Sequence, residues 1–252
     1  MIMLMEQLFA YKALLVVVTF VGLFGLERLF PAVRAQWQPM RWVRNLSVAF
    51  INFLLGPLIV LPLSAFVAMH GLGFRPSWWN LAFDLIVMDA WIYGWHRLNH
   101  VVPFLWRFHE VHHLDQTLDT TTGLRFHFGE VVLSALVRAL LIWVLAIPLV
   151  TVAVFETVIV LAALFQHSNL KLPVMFEIWL SKLIVTPRLH WVHHHALRED
   201  TDSTYATILS FWDALFNSRS RNDRRIEMLM GVEAKKDLGL LDLLMSPFRS
   251  RS

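Results

Sequence analysis

The chain of 252 residues contains no cysteine. That absence excludes a disulfide scaffold, a thiolate nucleophile, an iron–sulfur cluster and any cysteine-ligated zinc site. Charge is also scarce: Asp, Glu, Lys and Arg make up 16% of the residues, against roughly 25% in soluble domains. No solenoid-length repeat or low-complexity linker divides the sequence, so residues 1–252 read as a single domain. What abounds is apolar: 57% of residues are hydrophobic, with 11 Trp and 19 Phe, and the mean hydropathy is +0.55. Such a composition excludes a disordered chain and points to an integral membrane protein.

A spanning helix needs about 20 apolar residues. Residues 8–26 meet that length, with Lys12 near the start, where its stem can snorkel to the interface. Residues 48–69 carry no charge, and Pro57 and Pro62 predict a kink. Residues 80–93 form a weaker third candidate, because Asp84 and Asp89 sit in it and ionisable groups at such depth face a protein interior. Residues 131–165 read as a hairpin of two helices about Pro148, with only Arg138 and Glu156 charged. Arg28, Arg34, Arg41 and Arg44 crowd the 27–47 loop, whereas the 70–79 loop has only Arg75, which places the former inside. Residues 96–130 and 166–252 then lie inside too, the latter with 12 of the 22 Lys and Arg. The net charge of +3 is therefore a topology signal, and no motif for nucleic acid accompanies it. The first residues lack a basic region and a small-residue cleavage site, so no cleaved signal peptide is expected. Residues 174–186, with Glu177, Ser181 and Lys182 on one helical face, and residues 238–248 are expected to lie against the membrane surface.

Ten of the 12 histidines fall in these inside segments with ligand-like spacing. His96 and His100 are four apart, which on a helix puts both imidazoles on one face. His109, His112 and His113 form an HxxHH box, and His190, His193 and His194 form another. His127 and His167 are single candidates, while His70 and His195 read as packing residues. A neutral imidazole is available to a metal at pH 7. Ten of them exceed what one ion can accept, which implies two metal ions; donor softness permits zinc, copper, iron or nickel. Residues 109–113 also satisfy the H-E-x-x-H pattern of a zinc protease, with His109 and His113 as ligands and Glu110 as base. That reading leaves the other boxes idle.

Around these histidines the chain resembles the fatty acid hydroxylase superfamily, which includes sterol desaturases, carotene hydroxylases and alkylglycerol monooxygenase. The similar residues run from about 89 to 216 and include Trp95-His96-Arg97-Leu98-Asn99-His100, Leu124-Arg125-Phe126-His127, Gln166-His167-Ser168-Asn169 and the two HxxHH boxes with their flanks. The resemblance implies an all-α integral-membrane fold: a four-helix transmembrane bundle topped by a cytosolic helical cap, with a histidine-ligated di-iron centre where they meet. It implies that His96, His100, His109, His112, His113, His127, His167, His190, His193 and His194 bind two iron ions. These would activate O₂ to hydroxylate or desaturate an unactivated C–H bond of a membrane lipid such as a fatty acyl chain or sterol. Glu130, Asp200 and Asp202 are candidates for orienting imidazoles through their second nitrogen. No glycine-rich dinucleotide fingerprint or cytochrome-type His-Pro-Gly-Gly is present, so a separate ferredoxin, cytochrome or flavoprotein reductase is expected to deliver electrons. The basic stretch 219–225 suits either a lipid headgroup or an acidic donor. The expected location is a multi-pass protein of a bacterial inner membrane with its histidine boxes toward the cytoplasm, or of the endoplasmic reticulum in a eukaryote. The sequence departs from the family pattern at Phe128, where Pro is common, at Thr204 and Ala206, where Asn and Gly are usual, and at Ala214 and Asn217, where Arg and Gly are. These departures leave open a non-catalytic metal-binding membrane scaffold.

Overall fold

A computed structural model describes residues 2–34, 37–72 and 81–249, with side chains from Tyr11 onward. Arg75 and Asn80 lie outside the described residues, as do the side chains of the first ten. Twelve α-helices organise what is described, and β-pairing there is limited to isolated bridges. They begin with α1 (Ile2–Leu29) and α2 (Pro39–Leu55), which runs through a single π-helical turn, Gly56–Val60, into α3 (Leu61–Met69). Next come α4 (Leu81–Val101), α5 (Pro103–His113), α6 (Phe128–Leu145) and α7 (Leu149–His167). Five short helices follow: α8 (Val174–Leu180), α9 (Pro187–His193), α10 (Arg198–Thr201), α11 (Phe211–Leu215) and α12 (Leu240–Met245).

Three helical stretches among the described residues are long and apolar enough to cross a membrane: Pro39–Met69, Phe128–Leu145 and Leu149–His167. Along α1, Leu14, Val17, Val18 and Val21 also point outward. The hairpin expected about Pro148 forms, closed by Ala146 in the left-handed region at φ 49°. Its far end packs with α3 and α4 around Met88, Ile142, Ile147, Val152 and Phe155. The kink expected at Pro57 takes the form of the π turn, where the wider helix accommodates a residue without an N–H.

Several expectations are corrected. The second span starts at Pro39 rather than 48, because proline seats well in a first helical turn and Arg41, Asn45 and Val48 recur on one buried face. Arg41, counted as a loop residue, is buried. Its guanidinium donates to Asp115 (2.6 Å) and Asp119 (2.7 Å), while Asn45 donates to Asp115 (3.0 Å). Residues 80–93 are not a helix of their own. From Leu81 they form the first part of α4, whose Asp84 and Asp89 are buried, and Asp89 accepts from Trp212 Nε1 (2.8 Å) and Leu209 N (3.1 Å). Lys12 does not snorkel but donates to Glu156 on α7 (2.9 Å).

Of the polar face expected on 174–186, Lys182 stays exposed while the other two residues turn inward. Glu177 and Ser181 are buried, with Glu177 accepting from Arg188 N (2.9 Å) and Arg224 (3.1 Å). Val174, Met175, Phe176, Trp179 and Leu183 face outward instead. The C-terminal run divides similarly: Leu243 is buried against Val111 and Leu114, and Leu241 and Phe248 are exposed.

A close backbone approach joins the fold to the histidines. The 3₁₀ turn Thr122–Leu124 packs on α7, and a Cβ on Gly123 would lie 2.5 Å from the carbonyl oxygen of Ala163. That oxygen accepts from His167 Nδ1 (2.6 Å). Gly123→Ala should therefore push the end of α7 away and cost about 1–3 kcal/mol of overpacking. Thermal unfolding in detergent measures this, and an unchanged midpoint would contradict the contact.

Candidate metal centre

Nine of the ten candidate histidines converge in two buried groups. His96, His100, His109, His113 and His193 form the first, and His112, His167, His190 and His194 the second. Within each group one ligand atom per residue lies within 4.8 Å of all the others. The groups adjoin, the rings of His113 and His194 stacking with centroids 4.3 Å apart. Each HxxHH box is shared between the groups. The i,i+4 pair His109/His113 serves the first while His112 turns to the second, and His190/His194 serves the second while His193 turns to the first. The geometry is that of one helix turn: residues four apart nearly eclipse, and the one between points to the side.

The ring orientations reveal what the groups are built to hold. His96 Nδ1 meets the carbonyl of Tyr205 (2.8 Å), and His109 Nδ1 meets the carboxylate of Glu130 (2.9 Å). Neither oxygen has a proton to give, so both Nδ1 atoms donate and both Nε2 atoms present lone pairs. Those two Nε2 atoms face each other at 3.1 Å. In the second group His167 Nδ1 donates to Ala163, and its Nε2 lone pair is met by Nε2 of His190 (2.8 Å), His112 (3.0 Å) and His194 (3.2 Å). One lone pair cannot accept from three nitrogens. Two nitrogens bonded to one ion at about 2.1 Å stand about 3.0–3.4 Å apart in octahedral or tetrahedral arrangements. The observed spacings fit cation ligation and do not fit a hydrogen-bond network. Buried and without any protein hydrogen-bond partner are His193 Nε2, both ring nitrogens of His100, and the Nδ1 atoms of His112, His113, His190 and His194. Burial, followed by the neighbouring imidazoles, holds His112, His113, His190 and His194 well below the usual histidine pKa; burial also takes His193 down to about 3. At pH 7 these rings are neutral, which is the state that ligates a metal.

The tenth candidate, His127, is not brought to either group. It caps α6, accepting from Gly129 N at Nδ1 (2.9 Å) and donating from Nε2 to the Leu244 carbonyl (3.1 Å). His195 also stays outside and bonds Asp200 (2.7 Å), and His70 is exposed and bonded to the Phe66 carbonyl. Of the three carboxylates expected to orient ligands, Glu130 does so, accepting from Asn99 (3.0 Å) as well as His109. Asp202 comes within 3.4 Å of His100 Nδ1, whereas Asp200 serves His195. Glu110, the base of the protease reading, is ion-paired with Lys235, and five imidazoles rather than two surround the position shared by His109 and His113.

Other orienting groups are main-chain and escaped sequence reasoning. The carbonyls of Ala163, Ser203 and Tyr205 hold His167, His193 and His96. Asp213 in turn fixes the last of these, accepting from the amides of Tyr205 (2.8 Å) and Ala206 (3.2 Å). The departures from the family pattern acquire a structural meaning. Phe128 occupies the first helical position of α6, where proline is favoured but no N–H is required. Thr204 and Asn217 both adopt the left-handed region, at φ 54° and 49°, where the family pattern has Asn and Gly.

The fatty acid hydroxylase family profile matches residues 81–218. The chain is 29% identical over 179 residues to the ornithine lipid hydroxylase OlsE of Rhizobium tropici, covering 69% of this chain and 53% of the relative. It is 25% identical over 162 residues to alkylglycerol monooxygenase of Homo sapiens (60% and 32%), and 24% identical over 139 residues to cholesterol 25-hydroxylase of Mus musculus (53% and 44%). The chain thus spans about half or less of the length of these relatives. No solved structure matches it.

Two outcomes test the site. Thr204→Asn removes a β-branched residue from a left-handed position and retains an oxygen for Ser220 N, which Thr204 Oγ1 now accepts at 3.0 Å. Its unfolding midpoint should rise, by about 1 kcal/mol of stability; a fall would refute the strain. Glu130→Ala should weaken metal affinity about 10–100-fold through loss of the His109 acceptor, measured by competition with a chelator, and unchanged affinity would remove Glu130 from the site.

Proposed function

The chain belongs to the fatty acid hydroxylase family, and we propose that it is an oxidoreductase that hydroxylates an unactivated C–H bond of a membrane lipid at a centre of two iron ions. The observation that carries this reading is the convergence of nine imidazoles, with lone pairs of His96 and His109 facing each other at 3.1 Å. The relatives' names, two hydroxylases and a monooxygenase acting on an ornithine lipid, cholesterol and an alkylglycerol, support a lipid substrate and favour hydroxylation over desaturation.

Bound iron would supply the activation of O₂ and the oxidising power for C–H cleavage. The chain's own contribution is positional and electrostatic. Glu130, itself held by Asn99, and three backbone carbonyls fix which nitrogen His109, His96, His167 and His193 offer, so these four rings are oriented before metal arrives. All nine rings are buried, which keeps bulk water from the reacting carbon. The apolar exterior of the spanning helices suits a substrate that approaches from the bilayer. Electrons are assigned to a separate ferredoxin, cytochrome or flavoprotein reductase. The arginine-rich 27–47 and C-terminal segments favour a topology with the histidine groups at the cytoplasmic face.

Metal analysis of detergent-purified protein tests the reading. The wild type should hold close to two irons per chain, His193→Ala should lose metal from the first group and His112→Ala from the second. A single zinc lost only in His112→Ala would overturn the di-iron reading. Iron that is bound but never cycles with O₂ and a reductant would favour the non-catalytic scaffold.

A further inference from the structure

Six residues separate the end of α7 at His167 from the start of α8 at Val174. They run beside the end of α1. Lys171 N donates to the Phe30 carbonyl (2.8 Å), Ala32 N donates to the Asn169 carbonyl (2.8 Å), and Pro31 and Leu170 form an isolated bridge. Helix α8 therefore starts at the histidine end of the bundle, at the level where α1 and the membrane-crossing α7 both stop.

The outer face of α8 is apolar. Val174, Met175, Phe176 and Trp179, with Leu183 just beyond the helix, are between 55% and 67% exposed. Leu29 and Phe30, beside the paired segment, are exposed as well, so the apolar exterior of α1 continues toward α8. Lys171 before the helix and Lys182 after it are both exposed, and Lys182 Nζ lies 3.6 Å from the centroid of the Trp179 ring. An apolar face that carries a Trp and is bracketed by basic residues suits a helix lying in the plane of the lipid headgroups. The buried face of α8 reaches toward the metal centre. Glu177 Oε1 accepts from Arg188 N (2.9 Å) and its Oε2 from Arg224 (3.1 Å). Arg188 is the second residue of α9, which carries His190 and His193 and ends at His194.

We propose that α8 is an in-plane membrane anchor, with its apolar face sunk in the leaflet at the histidine end of the bundle, and that it steadies the ligand helix α9 through Glu177. The partner is the lipid surface itself: apolar side chains enter the acyl boundary while Lys171 and Lys182 meet the headgroups. A helix held in the bilayer on one side and bonded to Arg188 N on the other fixes the start of α9 relative to the membrane. The proposal rests on the reading of the chain as an integral membrane protein and does not depend on which metal is bound.

Because the chain has no cysteine, each introduced cysteine is a unique labelling site. Spin labels at Phe176→Cys and Leu183→Cys would be placed in the full-length protein in nanodiscs of phosphatidylcholine and phosphatidylglycerol. Collision with O₂, which concentrates in lipid, and with a water-soluble nickel chelate reads their depth. Leu140→Cys on the outer face of α6 and Asp223→Cys in the exposed basic stretch serve as lipid and water references. Both α8 labels should favour O₂, as the label at 140 does. Labels at 176 and 183 that behave like the one at 223, or that a protein partner shields from both reagents, would overturn the proposal. Water at 140 as well would bring down the membrane reading together with it, whereas lipid at 140 and water on α8 defeats the anchor alone. Hydrogen exchange in the same nanodiscs reads the link to α9. The double variant Phe176→Ser/Trp179→Ser changes only exposed side chains, so its fold should persist. Its amides over 187–194 should exchange about tenfold faster, with 39–55 unchanged, as for the weakening of one hydrogen bond to a charged group. Unchanged exchange over 187–194 would overturn the link.

Discussion

Lone pairs that converge on two points in a buried space repel one another, and that repulsion sets the terms for the surrounding protein. His96 and His109 are held nose to nose because their other nitrogens are committed to Tyr205 and Glu130. Hydrogen bonds on the outer edges hold His96, His109, His167 and His193, so the arrangement depends on groups that lie outside the cluster. The 203–206 segment shows the depth of that support: Asp213 fixes two amides whose neighbouring carbonyls fix His96 and His193.

Convergence also explains the polar belt beside the histidines. The loop after α5 carries Asp115, Asp119 and Thr122, and the buried guanidinium of Arg41 gathers all three. Arg125 ties the same region to the Val111 carbonyl, to Asn45 and to Asp237 near the C-terminus. Breaking a buried pair of this kind costs about 3–5 kcal/mol. It anchors the end of α5, and with it His112 and His113, to the first turns of α2 and to the C-terminal segment. The box residues supply the chemistry, while α2 and the C-terminal tail hold their helix in register.

The histidine boxes were legible in the sequence because i,i+4 spacing is a local property that needs only a helix to realise it. Nine residues read from that spacing and the family resemblance converge as a set. His127 is not distinguishable from them in the sequence, since a helix cap and a metal ligand both read as a single imidazole, and only the position of Gly129 N separates the two. The hairpin at Pro148 was readable from its apolar length. The early start of α2 was not, because Arg41 and Arg44 look like loop charges until Asp115 and Asp237 are seen opposite them. The inward turn of Glu177 on α8 is not readable for a similar reason. Glu177 would face water on an isolated amphipathic helix, but here Arg224 and the amide of Arg188 come from distant sequence to meet it. Where partners are local, sequence suffices; where charge is matched across the chain, it does not.

The same rule of charge matching operates at both depths of the bundle, with opposite sign. At the histidine end, neutral donors surround positions that attract cations, and Glu130 and Asp202 are the carboxylates beside them. Deeper in the hydrocarbon, Lys12 and Arg138 outnumber Glu156. Neither arrangement is what packing alone would select, because apolar residues of similar volume would fill both places at lower cost. Their presence in a chain with only 16% charged residues therefore points to roles beyond packing at both levels of one bundle, joined by α6 and α7, which pass through both.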